Sequence, residues 1–118
     1  MTTGERNTSV GYDTGGDGGN AALTGNDNVL IGTGAGTNLE GAGHSNTFIG
    51  SAAGAVTTTG VENTTLGFNT EIQDATATNQ IVIGNNVTGT ADNAVHIGND
   101  TSHIRCDFNA DQTWDASS

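Results

Sequence analysis

The segments NVLIG at Asn28–Gly32 and NTFIG at Asn46–Gly50 decide how this chain is read. Each is a short apolar burst that starts on Asn and ends on Gly. The same burst recurs as NTSVG (Asn7–Gly11) and NTTLG (Asn63–Gly67), and without Asn as its first residue as IVIG (Ile81–Gly84, after Asn79) and AVHIG (Ala94–Gly98, after Asn93). The closing glycines are 21, 18, 17, 17 and 14 residues apart. Counting back from each glycine, position −1 holds Val10, Ile31, Ile49, Leu66, Ile83 and Ile97. Position −3 holds Thr8, Val29, Thr47, Thr64, Ile81 and Val95, all β-branched. Position −2 is mixed: Ser9, Leu30, Phe48, Thr65, Val82 and His96. This is period-two order. Positions −1 and −3 share one face of a strand, and −2 points the other way. β-Branched residues suit a pleated surface. The glycines supply turns, and Asn tolerates the left-handed backbone that opens or closes them.

Strand and turn repeated six times predict an all-β fold, a short-coil parallel β-roll or β-solenoid. Six strands about 4.8 Å apart make a prism roughly 30 Å long. The −1 residues Val10, Ile31, Ile49, Leu66, Ile83 and Ile97 are assigned to the coil core. Residues 1–99 form the repeat region, with inserted loops at Tyr12–Asp27 and Thr33–Ser45. Residues 100–118 form a C-terminal strand and tail. In that strand Ile104, Cys106 and Phe108 face one way, and His103, Arg105 and Asp107 the other. Helix has no support, and Glu71–Ala77 reads as a loop.

Composition sets the constraint that this fold has to meet. Leu, Ile, Val and Phe make 21 of 118 residues, and the net charge is −11 with only Arg6 and Arg105 as cations. That balance alone reads as disorder. A core shared between copies resolves it, and the isolated monomer is then expected to be unfolded. So acidic a chain excludes nucleic acid as a partner. No apolar run is long enough to insert in a membrane, and no secretory signal is visible. The single Cys106 gives no disulfide framework and no zinc set, and reads as a small buried hydrophobe.

Chemistry-bearing patterns are weak. GGDGGN at Gly15–Asn20 occurs once, without the serial repeats of a calcium-binding roll. A cation held by Asp13, Asp17 or Asp27 is the alternative to a plain polar loop, which is the default. No cofactor is expected. Gly16-x-Gly18-x-x-Ala21 follows no buried strand and opens no helix, so it is no dinucleotide site. His96, opposite the aliphatic face, is expected at the surface or toward a symmetry axis. No nucleophile, base and pocket coincide, so no catalytic or metal-ligating residues are assigned and the chain is read as a non-enzyme. Tyr12, Asp13, Asp17, Asp27, Asn38 and His44, on the two inserted loops, are the candidate receptor contacts, because loops on a rigid scaffold commonly carry recognition.

Two resemblances extend this reading. NAVHIGN (Asn93–Asn99) resembles the head repeat of trimeric autotransporter adhesins. NTFIGSAAG (Asn46–Gly54) and NVLIGTGAG (Asn28–Gly36) are similar to repeats of bacteriophage tail fibres and tailspikes. The end of the chain, with Trp114, Ser117 and Ser118, resembles the segment upstream of the self-cleaving intramolecular chaperone of endosialidase-type tail fibres. The downstream Asp of that junction is not in this sequence. The resemblance implies a homotrimer in a virion tail fibre that attaches to a host-cell surface glycan or protein. It also implies release of a chaperone to leave Ser118 as the mature end. The alternatives are the head of a bacterial cell-surface trimeric adhesin, or a non-catalytic part of a polysaccharide-degrading tailspike.

Overall fold

A computed structural model of the chain describes residues 4–15 and 23–107. The strands are β1 (Thr8–Val10), β2 (Val29–Ile31), β3 (Thr47–Ile49), β4 (Thr64–Leu66), β5 (Gln80–Asn85), β6 (Ala94–Asn99) and β7 (His103–Asp107). They form one sheet in chain order. The first six are parallel and the last pair antiparallel. No helix occurs among the described residues. The result is a β-solenoid of about five turns, ended by a strand that doubles back.

Register follows the sequence repeat. Val29 pairs with Thr47, Thr47 with Thr64, Thr64 with Ile81 and Ile81 with Val95, so every −3 residue stacks on the next. The turns repeat as well. Position −5 is left-handed in all six coils, at Arg6, Asp27, Ser45, Glu62, Asn79 and Asn93, with φ between 52 and 60°. The strand-ending glycines have a second reason to be glycine. At Gly50 the φ is 135°, and a Cβ would lie less than 3.0 Å from the carbonyl oxygen of Gly67 in the next coil. Any side chain there would push the coils apart.

The interior is the opposite of the sequence expectation. Leu30, Phe48, Thr65, Val82 and His96, all at −2, are fully buried. The six residues assigned to the coil core instead point out of the coil. Val10, Leu66, Ile97 and Ile31 are 57, 44, 38 and 37 % exposed, and Ile49 and Ile83 are half-buried. The reason is cross-section. One coil encloses little more than the strand side chains at −2 and −4 and a few small or aliphatic residues: Leu30 and Phe48 cluster with Ala35, Leu39 and Ala53, and Ile72 and Val87 are buried as well. Phe48 fits because its ring lies where Cβ atoms of Gly36 and Gly54 would be.

Position −4 has the same parity as −2 and is also buried. Asn28, Asn46, Asn63 and Gln80 are 0 % exposed there. The asparagines form a ladder. Asn28 Oδ1 accepts the backbone N–H of Asn46 at 3.0 Å and its Nδ2–H at 3.1 Å. The other Nδ2–H of Asn46 is donated to the carbonyl of Gly60 at 2.8 Å. The unit repeats from Asn7 to Asn28, from Asn46 to Asn63, and onto the backbone N–H of Gln80. A single chain therefore closes its own interior, partly with hydrogen-bonded amides in place of aliphatics. Three chains are not needed to enclose it.

Candidate functional site

Because −2 and −4 point inward, −1 and −3 form the outer face of the sheet. That face carries two columns. One runs Val10, Ile31, Ile49, Leu66, Ile83, Ile97 and the other Thr8, Val29, Thr47, Thr64, Ile81, Val95. The antiparallel strand extends both, since Ile104 pairs with Ile97 and Cys106 with Val95. Ile104 and Cys106 share a face, as their alternation predicts, but it is the outer one, so Ile104 is exposed and Cys106, expected to be buried, is half-buried. Phe108 lies outside the described residues. The fourteen positions hold no charged residue. Seven strands at about 4.8 Å spacing give a strip about 29 Å long and roughly 10 Å wide, an uncharged and mostly apolar patch of about 300 Å² in which Thr8, Thr47 and Thr64 are the hydroxyl-bearing members.

Polar corners border the strip. On one side stands the −5 column. There Arg6 donates to Asp27 through Nε at 2.6 Å and through Nη2 at 2.9 Å, and Asn79 donates to Asn93 at 2.9 Å. The Arg6 guanidinium holds the Asp27 carboxyl below its usual range, through their hydrogen bond first. On the other side, two residues past the glycines, Asn69 donates to Asn86 at 3.0 Å. An apolar centre with a polar rim is the anatomy of a protein–protein interface.

The expected contact residues are not brought into one place. Asp27 and exposed His44 lie at the corner before the strands, and His44 Nδ1 is 3.2 Å from Ser45 Oγ. Tyr12, 80 % exposed, and Asp13, which accepts from Thr37 Oγ1 at 3.1 Å, lie at the corner after them. Asn38 is half-buried and donates to the Ala55 carbonyl at 2.7 Å, so its amide serves the coil wall. Asp17 and its neighbours Gly16, Gly18 and Gly19 lie outside the described residues, as do Trp114, Ser117 and Ser118. Thr33–Ser45 is not an inserted loop. Gly34 and Ser45 donate back to Tyr12 and Asn26, and Gly36 and Glu40 forward to Ala53 and Thr58. It is the return wall of a coil, and it buries Ala35 and Leu39.

His96 is neither at the surface nor on a symmetry axis. It is fully buried at the C-terminal end of the interior. Among the described residues no three of His, Cys, Asp and Glu stand close enough to hold a metal ion. No described helix is long and apolar enough to cross a membrane. No family model, curated protein or solved structure gives a significant match to the chain.

Placing the aliphatics inside the coil hides the outward strip. The signal that would have found it was in the bursts: Asn stands at −4 in four of them, and its parity is that of −2. An amide repeated on one strand face is the mark of a stacked internal ladder.

Proposed function

We propose that this chain is a structural and receptor-binding module of a homotrimeric phage tail fibre. In this reading three solenoids turn their apolar strips toward a common axis. The rod they form presents corner residues such as Tyr12 to a glycan or protein on the host surface. The module is non-catalytic in this reading. One observation carries the reading: the uncharged, largely aliphatic strip between polar corners. Removing about 300 Å² of such surface from water stabilises by roughly 7 kcal/mol per chain before association entropy is counted.

The head of a bacterial trimeric adhesin is the second reading. It is favoured by NAVHIGN, whose Val95 and Ile97 both lie on the strip. A parent gene continuing into a membrane-anchor barrel supports it, and one continuing into a Ser-Asp chaperone supports the fibre.

Light scattering on the 118-residue chain tests the assembly. The expected mass is three times 11.8 kDa. The variants Ile49→Asp and Ile83→Asp place a charge on the strip and should give a monomer whose circular dichroism is still that of a β-sheet. A folded monomer for the parent chain would overturn the trimer.

A further inference from the structure

β7 closes the C-terminal end of the solenoid, and its inward side is not apolar. Arg105 lies directly across the ladder from His96, and His103 and Asp107 share that side. The rings of His96 and His103 are 5.8 Å apart. Three ionisable residues thus roof the buried His96.

The hydrogen bonds of His96 fix its protonation state. Its Nε2 faces the backbone N–H of Thr90 at 3.3 Å and the Thr90 hydroxyl at the same distance. A backbone N–H only donates, so Nε2 must accept and be bare. The single proton of the neutral ring is then on Nδ1, which is buried and has no partner among the described residues. A second proton would set Nε2–H against the Thr90 N–H, donor to donor. It would also place a cation beneath Arg105 and beside His103. Asp107 is the acid on the roof, and it already binds Arg105 at 3.0 and 3.2 Å. From β5 the neighbour is Val82, which is uncharged. On the loop into β6, Asp92 is turned away to the Thr78 N–H and the Gln80 amide.

We propose that β7 is an acid-released closing strand, held on β6 by neutral His96 and detached when that imidazole takes a second proton. Release frees the hydrogen-bonding edge of β6 and strips Ile104 and Cys106 from the apolar strip. Burial, then Arg105 and then His103 lower the His96 pKa from 6.5, with Asp107 opposing in part. With β7 detached the imidazole regains water and binds its proton more readily. The closed state therefore loses stability as pH falls below about 6.5 and is fully stable above it.

Amide hydrogen exchange by NMR tests this on the 118-residue chain, after correction for intrinsic exchange. Going from about pH 7.5 to about pH 5, protection at Ile104–Cys106 should fall by roughly tenfold or more while β2–β4 amides hold. His96→Gln keeps an acceptor for Thr90 and should abolish the response. Should that variant fail to fold, Arg105→Gln serves, and the response should shrink because one opposing charge is gone. Imidazole nitrogen shifts of the parent should show the Nδ1–H tautomer at neutral pH. Unchanged β7 protection in acid, an undiminished response in His96→Gln or Arg105→Gln, or an Nε2–H tautomer would overturn the proposal. Ile83→Asp should release β7 in the same way, so failure to assemble and failure to release are read separately.

Discussion

At the scale of single residues the amide ladder carries more than its size suggests. Each buried Asn bridges two coils, so deleting one orphans its partners in the next coil. In Asn46→Ala the Gly60 carbonyl and the Asn63 N–H lose their partners with no water to replace them. The expected loss is about 3 kcal/mol, measured as a fall in the urea midpoint with an unchanged slope. Glu71 gives a pH test of opposite sense to His96. Burial raises its carboxyl above the usual 4.5, although the Val56 N–H donates to it. A raised carboxylate pKa means that ionisation opposes folding, so this residue costs stability once pH climbs past the unfolded value. Glu71→Gln keeps an acceptor for Val56 and should raise Tm at neutral pH, with no gain near pH 4. An equal gain at both would mean that charge is not the cause.

At the scale of strands, the two faces are separable by mutation. Phe48 and Ile49 are neighbours in sequence, one sealed in the coil and the other on the strip. Phe48→Ala empties the interior between Leu30 and the Gly36 and Gly54 turns and should cost about 3–5 kcal/mol in whatever state the chain associates. Ile49→Asp should leave the coil intact and act on association alone. If Ile49→Asp unfolds the chain as Phe48→Ala does, the inward and outward assignments are wrong. Much of the solenoid was legible in the sequence, because alternating β-branched bursts at 14 to 21 residue spacing force strand, turn and register together. The facing was not. Period two separates the faces without saying which is wet, and hydrophobicity chose −1 because Val, Ile and Leu crowd there. The deciding residues were the asparagines at −4. Their value depends on a neighbour one coil away, which no local propensity encodes. The return wall at Thr33–Ser45 reads as a loop for the same reason: Ala35, Thr37, Leu39 and Gly43 donate only within local turns, and the bonds of Gly34, Gly36, Glu40 and Ser45 that fix it run to other coils.

At the scale of the whole molecule, composition and assembly meet. The low count of large aliphatics reflects an interior built from one strand side chain per coil, small residues and amides. The aliphatics at −1 are then left over for the outside. They gather on the sheet face, while the acids that give the net charge of −11 stand elsewhere, none of them in the strip. Bringing three such chains together would concentrate the charge and oppose association, whereas the proposed contact through the strip has no ion pairs to lose. Salt therefore acts on one side of the balance only. Screening at a Debye length of about 8 Å removes much of the repulsion, and added salt strengthens apolar burial. Sedimentation at fixed protein concentration should show the trimer fraction rising from low salt to about 0.5 M NaCl. A trimer that dissociates as salt rises would mean that charged groups make the contact, and that the apolar strip faces something other than a copy of itself.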